Sequence, residues 1–289
     1  MSIYHSSRGK ELLWKLYDQN WASLDLQLEH SFVQTRHGST HVVTTGPRDG
    51  IPVLVFHGGN MISPISFAWI MELADRYRIY APDTPGHPGY SDETRLKPES
   101  FEYGEWAADV IDQLGLVKPV LVGGSYGAGI LLNLAAYAPE KIGKAILVVP
   151  SGFASPPLLP LLTQIGLPMI LYLVTHSRAW LVRSLSALYP EPAENFVEVS
   201  GAVYNCLKVE ARMPRSIHRQ NLVDFQAPTL VLAAEHDILF PPSSVVRLSR
   251  EVIPNLVAAE VIAGSSHFVS PQYWHGLCER IDRFIQVTS

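Results

Sequence analysis

Cysteine is nearly absent: Cys206 and Cys278 are the only two in 289 residues. Two thiols cannot build the disulfide framework on which small secreted domains rely, so both are expected to be reduced and the protein to be cytoplasmic. Positive charge is scarce as well. Lys and Arg number 22 against 27 Asp and Glu, for a net charge of −5, and no short stretch is dense in basic residues. That composition carries no electrostatic footprint for nucleic acid. The first residues lack a charged start followed by an apolar core, so no signal peptide is expected. A clean membrane span is missing too. Residues 158–174 are very apolar, yet Pro160, Thr163, Gln164 and Pro168 interrupt them, and a span needs about 20 residues. They read as a buried lid segment, with an interfacial, lipid-facing lid as the alternative. Internal repeats and low-complexity tracts are absent.

What is abundant is apolar residues, 47% of the chain, enough for one large core. Short apolar runs at 53–56, 77–81, 119–122, 144–149, 229–234 and 258–262 read as buried strands, and residues 30–45 as a pair of strands around a turn. Segments 10–21, 67–75, 101–114, 128–138, 247–251 and 273–285 read as helices, several with apolar residues three or four apart. Strands alternating with helices predict an α/β fold with a mostly parallel sheet covered on both faces. The alternation stops between 150 and 222. Residues 1–150 and 223–289 therefore read as the core, and 151–222 as a helical, proline-broken cap inserted over the carboxyl ends of the strands, where ligands bind in such sheets.

Three of the apolar runs end in residues of one chemistry. Ser125 stands in Gly123-Gly124-Ser125-Tyr126-Gly127, between a strand and a helix. A serine hydroxyl is a poor nucleophile until geometry and a base activate it. A sharp strand-to-helix turn presents it, with glycine two positions away on each side because strand and helix pass close together. Asp237 follows the run 229–234, with Glu235 as a competing acid, and His267 follows the run 258–262. A serine hydrolase needs such a base beside the serine and such an acid behind the base. The run 53–56 leads into His57-Gly58-Gly59-Asn60, a glycine loop able to offer a backbone N–H to a developing oxyanion. His57 reads as a brace for that loop, His87 as a turn residue, and Asp83 as structural.

The ordered set His57-Gly58-Gly59, Asp83-Thr-Pro-Gly86-His-Pro-Gly89-Tyr-Ser91, the Ser125 elbow, Glu235-His-Asp237 and Ser266-His267-Phe268 resembles the α/β-hydrolase superfamily, in its serine-nucleophile, cap-bearing esterase branch. The resemblance spans roughly 42–284. It implies catalysis by Ser125, Asp237 and His267, with the backbone N–H groups of Gly59 and Tyr126 as the oxyanion hole. Asn60, Met61, Phe153, Phe240 and Phe268 adjoin these motifs and are expected as pocket walls. The expected reaction is hydrolysis of a small or medium apolar ester, a small-molecule substrate, through an acyl-enzyme, with no metal and no cofactor. Oligomeric state stays open. A proline-iminopeptidase-like activity is the nearest alternative, weakened because Asp83-Thr84-Pro85-Gly86 departs from the Asp-Gln-Arg-Gly usual there. A carbon–carbon bond hydrolase, an acyltransferase or a non-catalytic ligand receptor remain compatible. A serine at the elbow argues against dehalogenases and epoxide hydrolases, which place aspartate there.

Overall fold

The computed structural model describes residues 2–153 and 156–287. Eight strands make one sheet: β1 (Glu29–Thr35), β2 (Gly38–Thr45), β3 (Pro52–Phe56), β4 (Arg78–Pro82), β5 (Val120–Gly124), β6 (Lys144–Val148), β7 (Thr229–Ala234) and β8 (Leu256–Ile262). Their order across the sheet is β1-β2-β4-β3-β5-β6-β7-β8. β1 and β2 form an antiparallel hairpin and β2 pairs antiparallel with β4; every later pairing is parallel. This is the α/β-hydrolase fold, with a mostly parallel sheet flanked by helices.

The central strands are apolar throughout rather than alternating, because helices cover both faces. All six residues of β7 are buried. On one face the helices Ser7–Ala22 and Trp274–Val287 pack with Trp21, Phe67 and Tyr77. On the other, Glu102–Gln113, Tyr126–Tyr137 and Pro242–Val252 pack with Trp106, Tyr103 and Phe225. Each such large side chain, fully buried, contributes on the order of 1.5–3 kcal/mol. The edge strands β1 and β8 keep an exposed face, as the ends of an open sheet must. Parallel pairing brings the carboxyl ends of β3, β5, β6, β7 and β8 to one rim, and the motif loops leave from that rim.

Residues between β6 and β7 form the helices Leu158–Pro160, Leu167–Thr175, Arg178–Ser186 and Glu194–Cys206, with a π-helical turn at Leu161–Gly166 and no named strand among the described residues. The expectation of a buried lid segment at 158–174 is wrong. Leu158 and Leu159 are each 73% exposed, Val174 is 75% exposed, and Leu162, Leu167 and Ile170 are exposed as well. Only Ile165, Pro168 and Tyr172 are buried there. Their spacing of three and four residues puts them on one side of the helix. That side alone meets the helices Arg178–Ser186 and Glu194–Cys206, while the opposite, equally apolar side faces out. The stretch Leu158–Thr175 is long and apolar enough to cross a membrane by length and composition; here it lies on the outside of the insertion. A smaller difference concerns residues 67–75, where an α-turn, Ser63–Phe67, continues as a 3₁₀ helix, Ala68–Asp75.

Candidate active site

The serine turn is built as its glycines require. Ser125 has φ 51° and ψ −112°, a conformation that costs an L-residue of order 1–3 kcal/mol unless its surroundings impose it. They do: Ser125 N–H donates to the Val148 carbonyl at 2.9 Å, and its own carbonyl accepts from Ser151 Oγ at 3.0 Å. A β-carbon at Gly123 would stand 2.6 Å from Ala128 Cα, and one at Gly127 2.1 Å from the Phe56 carbonyl oxygen. Neither position has room for a side chain.

Three loops bring their side chains together. Ser125 Oγ lies 2.9 Å from His267 Nε2, and His267 Nδ1 lies 2.8 Å from Asp237 Oδ2. The other carboxylate oxygen of Asp237 accepts the backbone N–H groups of Leu239 at 2.8 Å and Phe240 at 3.0 Å, which fixes the carboxylate plane. Asp237 and His267 are buried and Ser125 is half-buried. Glu235, the competing acid, is exposed and accepts the Gly264 N–H at 2.7 Å, away from His267. His236 is exposed beside Glu235, and His275 is exposed against Glu72.

The glycine loop is equally determined. Gly58 N–H donates to Ser66 Oγ at 3.0 Å and Asn60 N–H to His87 Nδ1 at 2.9 Å. The Gly59 N–H between them has no partner among the described residues. A β-carbon at Gly59 would meet the Tyr126 ring at 2.8 Å, so that residue must be glycine. Tyr126 opens the helix Tyr126–Tyr137, and the first N–H groups of a helix have no partner within it. The Tyr126 hydroxyl pairs with that of Tyr103 at 2.8 Å. Burial pushes the Tyr103 phenol up to about 12 and raises that of Tyr126 further, so both stay neutral.

The expected pocket walls divide. Phe268 is half-buried and, with Trp69, Tyr189 and Phe196, lines a cavity of about 70 Å³ that also takes in Asn20 and Asn195 and is not walled by Ser125 or His267. Its ring centroid is 4.9 Å from that of Trp69, whose own ring packs on Gly124. Met61 is half-buried against the core that includes Trp21 and Phe67, and Phe153 against the core that includes Trp106 and Phe225. Phe240 is buried, with its centroid 5.6 Å from the His267 ring, so it packs behind the imidazole rather than facing an open pocket. Asn60 departs furthest from expectation. Its side-chain amide donates to the Glu210 carbonyl at 2.8 Å and accepts the Glu210 N–H at 2.7 Å, so it is engaged by the chain itself. Sequence reasoning missed Glu210 altogether and read His87 as a turn residue. Glu210 lies 150 positions from Asn60 and carries no motif, whereas the His87 imidazole, inside a Pro-Gly turn, could have been suspected from its neighbours.

Comparisons with known proteins bear on the fold and its relatives. The family described as alpha/beta hydrolase fold matches residues 51–173. An uncharacterized carboxylesterase, nap, from Bacillus subtilis (strain 168) is 25% identical over 97% of this chain and 96% of its own length. Carboxylesterase YbfK of the same organism is 25% identical over 90% of each chain. The crystal structure of naproxen esterase (carboxylesterase NP) from Bacillus subtilis superposes with a TM-score of 0.83, at 23% identity, covering 98% of this chain and all of that one. Taken with the fold, these likenesses show a chain of α/β-hydrolase fold that is similar to carboxylesterases along nearly its whole length, and they support a hydrolase.

Proposed function

We propose that the protein is a serine esterase that cleaves a small or medium apolar carboxylic ester through an acyl-enzyme. The observation that carries the reading is the unbroken contact line from Asp237 Oδ2 through His267 to Ser125 Oγ, 2.8 Å and then 2.9 Å. Asp237 accepts from Nδ1, so Nε2 is the nitrogen left to take a proton. His267 takes the Ser125 proton as Oγ attacks the ester carbonyl carbon. The carbonyl oxygen becomes an oxyanion and receives the N–H groups of Gly59 and Tyr126; in well-studied hydrolases one such donor contributes about 2.7–4 kcal/mol. The intermediate collapses, the alkoxide leaves with the proton from His267, and the acyl group stays on Ser125. Water then attacks with His267 as base, the acid departs, and the serine is restored.

The two free cysteines, Cys206 and Cys278, suit a reducing compartment, and we place the protein in the cytoplasm on that ground. A fluorophosphonate probe tests the reading. It should label Ser125, and Ser125→Ala should lose the label; labelling elsewhere would overturn the assignment. A panel of esters graded in acyl and alcohol length, run beside a prolyl amide, separates esterase from peptidase. Turnover of the amide alone would reverse the choice.

A further inference from the structure

We propose that His87 and Asn60 are positioning residues of the oxyanion loop: the His87 imidazole and a two-way amide clamp from Asn60 to Glu210 fix the peptide after Gly59, so that the Gly59 backbone, whose own N–H lies in the peptide that His57 holds, keeps one place against Tyr126. The proposal rests on the Ser125 esterase reading and adds the parts that make its oxyanion hole rigid.

Gly59 has no β-carbon and is the residue of the loop with the most freedom to turn. A peptide unit is planar, so pinning one end of it fixes the direction of the other. The 58–59 unit is pinned at its carbonyl, where Gly58 O accepts from His57 Nδ1 at 2.8 Å. The 59–60 unit is pinned at its amide, where Asn60 N–H donates to His87 Nδ1 at 2.9 Å. Both dihedrals of Gly59 are thereby held between two buried histidines.

The hydrogen bonds also decide the tautomers. His57 Nε2 accepts the Thr84 N–H at 2.9 Å, so its proton sits on Nδ1. His87 accepts at Nδ1, so its proton sits on Nε2, directed toward the Tyr103 hydroxyl at 3.5 Å. A doubly protonated His87 would set a donor against the Asn60 N–H. Burial, then the neighbouring His57, push the His87 pKa down to about 3, which keeps the ring an acceptor.

Asn60 adds the second anchor. Its φ of 54° is one that asparagine tolerates better than most residues. Its amide and the Glu210 backbone exchange two hydrogen bonds. Glu210 follows the helix Glu194–Cys206, on the returning arm of the inserted segment, and its buried carboxylate is gripped by Arg212 at 2.9 Å through both oxygens. The clamp thus ties the loop after β3 to the insertion between β6 and β7.

The test compares His87→Leu, His87→Asn and Asn60→Gly with the natural protein. Asn60→Gly keeps the positive φ while removing the clamp. Turnover of an activated short-chain ester is scaled to the sites titrated by a fluorophosphonate, so unfolded protein does not count. Affinity for a trifluoromethyl ketone, which forms an oxyanion on Ser125, is measured in parallel. For His87→Leu, kcat should fall by about tenfold to about a hundredfold, at or below the loss of one whole oxyanion donor. KM should move little, and ketone affinity should fall by a similar factor, the pattern of an interaction made in the transition state. His87→Asn, whose Oδ1 can accept in place of Nδ1, should recover most of the loss, and Asn60→Gly should fall between the two. The proposal is overturned if His87→Leu keeps its kcat, if His87→Asn is no better than His87→Leu, or if KM alone rises. Should His87→Leu not fold, unchanged kcat in Asn60→Gly overturns the proposal equally. Loss of the Ser125 assignment would show separately, as fluorophosphonate labelling that survives Ser125→Ala.

Discussion

Two aspartate–histidine pairs are buried among the described residues, and they are alike in their local chemistry. Asp237 Oδ2 meets His267 Nδ1 at 2.8 Å; Asp83 Oδ2 meets His41 Nδ1 at 2.9 Å. In each, the second carboxylate oxygen is tied down by other donors: the N–H groups of Leu239 and Phe240 for Asp237, the hydroxyls of Tyr17 and Ser63 for Asp83. They part at the far side of the ring. His267 Nε2 faces a serine on a strained, half-buried turn, whereas His41 Nε2 faces His30 Nδ1 at 3.1 Å. A carboxylate and an imidazole alone therefore do not suffice for the proposed chemistry. A half-buried serine hydroxyl on one ring and a second histidine on the other is what distinguishes the two pairs. The second pair joins β2, the end of β4 and the helix Ser7–Ala22 through Tyr17, which is structural work.

The comparison breaks most sharply under substitution of the first pair's line. Ser125→Ala or His267→Ala should lower kcat by about 10⁶ and Asp237→Asn by about 10⁴, by analogy with other triads, as measured on an activated ester. Asp83→Asn should leave kcat per titrated site within a few-fold. It should instead lower stability by about 1–3 kcal/mol, since a buried acceptor for several donors is weakened, and denaturant unfolding would read this. A catalytic collapse in folded Asp83→Asn would erase the distinction. Gly127→Ala tests the scaffold of the first pair. Its β-carbon would stand 2.1 Å from the Phe56 carbonyl oxygen, so a loss of at least about 1–3 kcal/mol is expected from overpacking, and an unchanged midpoint would contradict the close approach.

A gentler probe is pH. Burial lowers the pKa of His30, His57 and His87. The unfolded chain takes up protons below about 6.5 that the folded chain refuses. Stability is therefore complete above that value and is lost as pH falls below it toward the depressed folded values. Thermal midpoints between pH 7.5 and 5 should drop; a flat profile would refute this. The smallest effect belongs to the outward side of the inserted helix, remote from both pairs. Leu159→Gln should change stability by no more than about 0.5 kcal/mol, and a large loss would mean that this side is covered.

Much of this was legible in the amino acids alone. Alternation of short apolar runs with helical periods predicts a parallel sheet, because only a sheet covered on both faces tolerates strands apolar at every position. Gly123, Ser125 and Gly127 announce their turn because sterics there forbid anything larger. Ser125 and His267 could be named from the ends of their strands, whereas Asp237 was preferred over Glu235, which stands nearer its strand end, on the resemblance to the α/β-hydrolases.

Tertiary structure alone decided what depends on residues far apart in the chain. Whether the apolar stretch Leu158–Thr175 is covered is a matter of what packs over it, and composition is silent on that. Asn60 looked free to touch a substrate until Glu210, 150 positions away, occupied its amide. His87 read as a turn residue because its partner is a backbone N–H, which no sequence motif marks. Two aspartate–histidine pairs differ in role only through the third group that folding delivers to each ring, and that delivery is long-range packing.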